Sequence, residues 1–185
     1  MPGRANPVIA PDSWSAIHGR ATPLLLDPAL PPTESWVANL LAMAPFSWRS
    51  EGPAQSVATQ FAEAPPALQD MLHALAIRFS DMMGTPSIAV RVEGVTGDAC
   101  TRVHADYTDI RLIQTLAGPG TDYSPPGAPQ GPLERVPTGW IGLFKGLAYP
   151  GADGCCHAPC LHRSPPISTT GERRLMVVID TVHNG

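Results

Sequence analysis

Charged residues are scarce in this 185-residue sequence, which has 15% of them and a net charge of −4 from 12 basic and 16 acidic residues. The longest basic run is Arg173-Arg174, so nothing predicts a nucleic-acid-binding surface. No apolar stretch approaches the roughly 20 residues of a transmembrane helix, and the first residues lack the apolar centre of a secretory signal. We therefore expect a cytoplasmic protein without nucleic-acid or membrane partners.

Cysteine is also sparse: there are four, of which Cys155, Cys156 and Cys160 are crowded together and Cys100 lies far upstream. A secreted disulfide scaffold is usually smaller and more evenly supplied with cysteine, so the pattern favours free thiols in a reducing compartment. With His157, the crowded cysteines are either a second metal site for zinc or copper, or a loop whose cysteines are incidental. The sequence leaves both alternatives open.

Proline and apolar residues, by contrast, are abundant. The 22 prolines concentrate before residue 70 and between residues 119 and 166, where they mark loops and strand ends. The apolar content of 43% and the length predict one domain over residues 1–185 with its own core. We expect an irregular arm over the first 30 residues, which together with a helical layer occupies residues 1–84.

Two helices are predicted in that layer. The first opens at Thr33, a plausible N-cap, and ends near Pro45. The second runs from Pro65-Pro66 to Gly84, a natural helix stop.

After Gly84 the pattern changes to short β-branched segments separated by turns. Predicted strands cover 87–93, 99–107, 109–117, 139–144 and 173–181. Helices followed by many short strands predict an α+β, mostly β fold. We expect a double-stranded β-helix, a jelly-roll or cupin-like barrel, over residues 85–183 with the helices packed on it.

A candidate metal site lies in the second predicted strand. Alternate side chains of a strand share a face, which places His104 and Asp106 together, with Cys100 on the same face. His162, just before the last predicted strand, is the best candidate for a third ligand. Two histidines and one carboxylate form the facial triad of non-haem Fe(II) oxygenases.

Oxygenases that use 2-oxoglutarate also need a cation for the far carboxylate of this cosubstrate. Arg173 and Arg174 follow His162 by 11 and 12 positions, and an arginine fork binds a carboxylate with two hydrogen bonds. Neighbouring residues of a strand face opposite ways, so only one of the two can serve, and the surrounding apolar pattern does not choose. Lys145 and Arg111, which lie on predicted strands, are further candidates for binding an anionic ligand.

These residues support two functional hypotheses. The first is an Fe(II)-dependent, 2-oxoglutarate-dependent oxygenase acting on a small-molecule or protein substrate. The second is a non-enzymatic zinc-binding protein, in which Cys100 completes a tetrahedral shell with His104, Asp106 and His162. A third, weaker hypothesis is a binding module that has lost its chemistry.

The wording of several motifs resembles an uncharacterised bacterial family, the domain-of-unknown-function family eighteen-twenty-six. The motifs lie between residues 85 and 181 and include Val90–Val95, Asp98–Asp106, Gly118–Thr121, Lys145-Gly146, His162–Pro166 and Gly171–Leu175. The resemblance implies a small cytoplasmic protein whose genes lie near those for zinc homeostasis, hence metal-handling partner proteins. The positions it matches are Cys100, His104, Asp106, Arg111, Lys145, His162, Arg163 and Arg174. The Cys155–Cys160 insert lies outside the family pattern.

Overall fold

A computed structural model describes residues 8–9, 13–19, 21–126, 131–150 and 158–182. Its two α-helices are α1 (Ser35–Met43) and α2 (Pro66–Met83), and two short 3-10 helices cover Trp14–His18 and Val57–Gln60. The strands are β1 (Val8–Ile9), β2 (Leu24–Asp27), β3 (Phe46–Pro53), β4 (Ser87–Val95), β5 (Ile110–Ala117), β6 (Asp122–Tyr123), β7 (Glu134–Arg135), β8 (Ile141–Lys145), β9 (His162–Arg163) and β10 (Arg174–Thr181).

The strands form two sheets, which confirms a mostly β fold. The larger sheet has seven strands in the order β1-β2-β8-β5-β10-β4-β3, and every neighbouring pair is antiparallel except β1 with β2. The smaller sheet has the order β7-β6-β9. Among the described residues the strands lie in these two sheets and not in one closed barrel. No described helix is long and apolar enough to cross a membrane.

Helix α2 begins and ends where the sequence predicts. Pro66 occupies its first turn, where the missing N–H of proline costs nothing. Gly84 caps it with a φ of 63°, a left-handed conformation that glycine adopts without strain, and its N–H donates to carbonyls of the last turn. Helix α1 begins one residue later than predicted, with Glu34 at the N-cap position in place of Thr33.

The large sheet is buried on both faces, and the alternation along β10 shows how. Leu175, Val177 and Ile179 belong to the core that packs against the helices, whereas Met176 and Val178 belong to a second core shared with the small sheet. The other central strands follow the same alternation. Since odd positions of β10 face the helices, its even positions face the space between the sheets, where the candidate site lies.

Two predictions for the strands are corrected. The first 30 residues are not only an irregular arm, because Leu24–Asp27 forms β2 inside the large sheet. This strand is buried at every position, so it shows no alternation that a sequence pattern could reveal. The predicted strand over 99–107 is also wrong: only one isolated bridge, His104 with His162, is paired there. Cys100, with a φ of 40°, interrupts the extended backbone.

Candidate metal centre

His104, Asp106 and His162 come together as the sequence predicts. One nitrogen of each imidazole and one carboxylate oxygen lie within 4.8 Å of one another, and among the described residues this is the group suited to hold a metal ion. The two histidines are also paired through the backbone: the His104 N–H donates to the His162 carbonyl at 2.9 Å, and the reverse bond is 2.8 Å. His162, the ligand most distant in sequence, is thus held beside His104 by an isolated antiparallel bridge.

The loop that carries Asp106 is fixed from the other side by the turn after β8. Leu147 N–H donates to the Asp106 carbonyl at 2.8 Å. Gly146 packs so closely beneath this loop that a Cβ there would stand 2.0 Å from the Thr108 carbonyl oxygen. Only glycine permits this approach of two backbones.

Backbone contacts also determine which imidazole nitrogens face the centre. Nδ1 of His104 lies 2.8 Å from the Arg102 carbonyl, and Nδ1 of His162 lies 3.1 Å from the Cys160 carbonyl. A carbonyl oxygen only accepts, so each Nδ1 carries the hydrogen. Each Nε2 is therefore left to face Asp106, which is the arrangement that prepares histidines as metal ligands.

Asp106 is held as a carboxylate. Burial raises its pKa, but the contact with His162 and the Arg111 guanidinium outweigh burial and lower the pKa to about 2. Its Oδ2 lies 2.7 Å from Arg111 Nη1 and 3.1 Å from His162 Nε2. Nevertheless, this buried oxygen has no partner in hydrogen-bond geometry among the described residues.

A divalent cation fits this donor set. Two Nε2 lone pairs and a carboxylate converge at 3.1–3.5 Å, and such acceptors repel one another unless a cation or protons lie between them. Two imidazoles and one carboxylate on one side leave the opposite side of an ion open.

The centre borders a cavity of about 150 Å³ between the sheets. Its wall includes Met176 and Val178 of β10 together with Thr121, which precedes β6. Cys100 lines the cavity too, but its side chain is exposed and its thiol lies outside the group of converging ligand atoms.

Arg174 is buried beside this cavity, with 1% of its surface exposed. Its Nε donates to the Pro119 carbonyl at 2.7 Å, and its Nη2 lies 3.4 Å from the hydroxyls of Thr115 and Thr121. Among the described residues no carboxylate forms an ion pair with it. Burial lowers its pKa to about 10, so the side chain remains a cation at neutral pH.

Two of the other predicted anion-binding cations, Arg173 and Lys145, lie elsewhere. Arg173 is exposed and donates to the Leu41 and Ala42 carbonyls at the end of α1. Lys145 is buried, donates to the Gly19 carbonyl at 2.8 Å and does not line the cavity. The Lys145 ammonium therefore binds the segment that precedes β2 and does not contact the metal ligands.

A family model described as "Protein of unknown function (DUF1826)" matches residues 31–180. The chain belongs to the DUF1826 family. The match includes α1, α2 and β3, so membership extends well beyond the region that carries the motifs. None of the curated proteins matches the sequence significantly.

Solved structures with a similar fold include dioxygenases. Dioxygenase for auxin oxidation 1 from Arabidopsis thaliana, in its 2-oxoglutarate binary complex, matches with a TM-score of 0.61, 9% identity and coverage of 97% of this chain and 93% of that one. The rice dioxygenase for auxin oxidation matches with a TM-score of 0.60 and 12% identity, and the match covers 96% of this chain and 82% of that one. JOX2, in complex with 2OG, Fe and JA, matches with a TM-score of 0.58 and 8% identity, and the match covers 90% of this chain and 69% of that one. At these identities the likeness shows that this DUF1826 chain shares their fold.

The cysteine cluster falls largely outside the described residues, which include neither Cys155, Cys156 nor His157. Cys160 is described: it is buried between the sheets, and burial raises the pKa of its thiol to about 12. This neutral thiol belongs to the core of the DUF1826 chain.

Sequence reasoning missed two carboxylates near the centre. Asp180 binds the Arg111 guanidinium through both oxygens, at 2.7 and 2.9 Å. Asp122 lies in β6, the middle strand of the small sheet, and binds Arg135 of β7 and Arg163 of β9. Asp180 could have been found, since it shares the even-numbered face of β10 with Arg174.

Proposed function

We propose that this protein is a non-haem Fe(II) oxygenase that uses 2-oxoglutarate as its cosubstrate. The observation that carries the proposal is the pairing of two features of one inter-sheet space. One is the converging group His104, Asp106 and His162. The other is Arg174, a buried guanidinium that lies behind the cavity wall, with its Nη2 3.4 Å from the hydroxyl of Thr121, which lines the cavity.

The three ligands would hold iron on one face. Both histidines present Nε2 because their Nδ1 hydrogens are directed at carbonyls, and Asp106 supplies the negative charge. Bound Fe(II) would supply the oxygen chemistry and the open positions that a cosubstrate needs. The similar solved structures bind Fe or 2-oxoglutarate, and this supports the same choice here.

Arg174 would bind the far carboxylate of 2-oxoglutarate. A buried cation that no carboxylate contacts is costly, typically by several kcal/mol, and the charges of Asp122 and Glu93 offset only part of this cost for Arg174. A carboxylate that enters the cavity removes this cost and accepts hydrogen bonds from the guanidinium. Thr121, which lines the cavity and lies 3.4 Å from Arg174 Nη2, is placed to donate to the same carboxylate.

The test is turnover after anaerobic reconstitution. Protein purified without metal is loaded with Fe(II), supplied with 2-oxoglutarate and oxygen, and assayed for succinate. We expect slow succinate formation even without a substrate, and none from the zinc-loaded protein. His162→Ala should abolish it, since it removes a metal ligand. His73→Ala, which changes an exposed histidine of α2, is the matched control and should keep it.

The opposite outcome is equally clear. A protein that retains zinc tightly and forms no succinate with Fe(II) would contradict the oxygenase proposal. It would return the protein to the zinc-binding hypothesis.

A further inference from the structure

Arg111 connects the metal centre to a second carboxylate. Its Nη1 lies 2.7 Å from Oδ2 of Asp106, while its Nε and Nη2 bind the two oxygens of Asp180 at 2.7 and 2.9 Å. All three guanidinium nitrogens therefore contact carboxylates of the chain itself. The sequence made Arg111 a candidate for binding an anionic ligand, but each of its guanidinium nitrogens already contacts a carboxylate of the protein.

The sheet places these groups together by register. Leu112 of β5 pairs with Ile179 of β10, and both residues belong to the core beneath the helices. Their neighbours Arg111 and Asp180 consequently lie on the opposite face of adjacent strands. Arg91 of β4 adds a weaker contact, with its Nη2 3.9 Å from Oδ2 of Asp180.

Asp106 has no such register to orient it. It belongs to the loop before β5, and no hydrogen-bond donor engages its buried Oδ2 in good geometry. Arg111 is the cation closest to that oxygen. Asp180 accepts two parallel hydrogen bonds from the Arg111 guanidinium and thereby fixes its orientation. The sheet thus contacts the one ligand that lies in a loop, Asp106, through the planar side chain of Arg111.

We propose that Arg111 and Asp180 are positioning residues that orient the Asp106 carboxylate for metal binding. Arg111 on Oδ2 fixes the direction in which the carboxylate faces the histidines, and Asp180 acts only through Arg111. This inference rests on the metal centre of the proposed function, but it does not depend on the reaction that the centre performs. It predicts that metal affinity depends on a carboxylate that is not itself a ligand.

The experiment measures metal binding in the full chain with Arg111→Lys, Asp180→Asn and the double variant. Lysine keeps the charge but cannot form the fork, and asparagine keeps the shape of Asp180 but loses its charge. Titration calorimetry with Mn(II) gives the Kd, and the visible absorption of bound Co(II) reports on ligand geometry. Arg78→Lys is the matched control. Arg78 of α2 also forms an ion pair with an aspartate, Asp27 of β2, at 2.8 Å, but neither residue belongs to the metal centre.

We expect each single variant to weaken Mn(II) binding by roughly 10–100-fold, the usual effect of residues that orient metal ligands. The Co(II) spectrum should change in both, and Arg78→Lys should leave the Kd and the spectrum as in the wild type. Since Asp180 acts through Arg111, the double variant should bind about as weakly as the weaker single variant.

Wild-type Kd values and spectra in folded Arg111→Lys and Asp180→Asn would overturn the inference, and so would fully additive losses. If Arg111→Lys does not fold by circular dichroism, Asp180→Asn decides alone. Wild-type protein that binds Mn(II) but forms no succinate with Fe(II) would refute the proposed reaction and leave this inference to be judged by the variants. Wild-type protein that binds no metal would overturn both.

Discussion

Arg174 and Arg173 provide the sharpest test of the cosubstrate site, because the sequence could not choose between them. We predict that Arg174→Met abolishes stabilisation by 2-oxoglutarate while leaving the ligand-free protein folded. Arg173→Met should keep that stabilisation, since Arg173 is exposed and contacts only the end of α1 within the described part of the chain. The two variants differ by one position and are matched in chemistry.

The expected stability of ligand-free Arg174→Met follows from two opposing contributions. Burial lowers the pKa of Arg174 to about 10, which corresponds to a cost of about 3 kcal/mol for keeping the cation in the folded state. Methionine removes this cost but also removes the short hydrogen bond to the Pro119 carbonyl, worth about 1.5–3 kcal/mol for a charged donor, and two long ones worth about 0.5 kcal/mol each. The free energy of unfolding should therefore change by less than about 2 kcal/mol.

The ligand-dependent contribution is larger and is specific to Arg174. A cosubstrate present at about 100 times its Kd stabilises the folded state by about 2.7 kcal/mol. For a chain of this length, that free energy raises the melting temperature by roughly 5–10 °C. Truncating one partner of a buried charge pair costs about 2–5 kcal/mol, so at the same concentration Arg174→Met should show little or no rise.

The assay is thermal unfolding by circular dichroism on protein loaded with Mn(II), with and without 2-oxoglutarate. A wild-type temperature rise in Arg174→Met would refute the reasoning, as would loss of the rise in Arg173→Met alone. Failure of Arg174→Met to fold without ligand would show that Arg174 is structural and that its unpaired charge is not a binding feature.

Two further predictions concern the surroundings of the centre. Gly146→Ala should destabilise the fold by about 1–3 kcal/mol and weaken Mn(II) binding, because its Cβ would stand 2.0 Å from the Thr108 carbonyl; Gly97→Ala, with nothing within 4 Å, should be neutral in urea unfolding and calorimetry. Burial lowers the pKa of Lys145 to about 8, so its amine loses its proton in the folded state before the unfolded one. Between about pH 8 and 10 the wild type should therefore gain stability, by up to about 3 kcal/mol, relative to Lys145→Met in urea unfolding. Parallel pH profiles for the two proteins would contradict this.

Local signals predicted the parts of the fold that depend on local chemistry. The proline and glycine at the ends of α2 act within a single turn, and the β-branched runs of β4, β5 and β10 need only their own sequence. β2 escaped prediction because burial on both faces removes the alternation of a strand. The choice of Arg174 over Arg173 was equally hidden, since Leu175–Ile179 is apolar on both faces and only the packed helices distinguish them.

The convergence of His104 and Asp106 was predicted from a strand over 99–107 that the structure does not contain, yet both side chains still meet His162. The prediction placed His104 and Asp106 on one face of an extended segment, but this segment is a loop apart from the His104–His162 bridge. Two constraints replace the strand. The bridge brings the distant histidine to the first one through the backbone, and Arg111 connects Asp106 to the sheet through Asp180. The order of the ligands along the chain therefore reveals such a site, whereas its geometry depends on residues, such as Asp180, that no ligand motif contains.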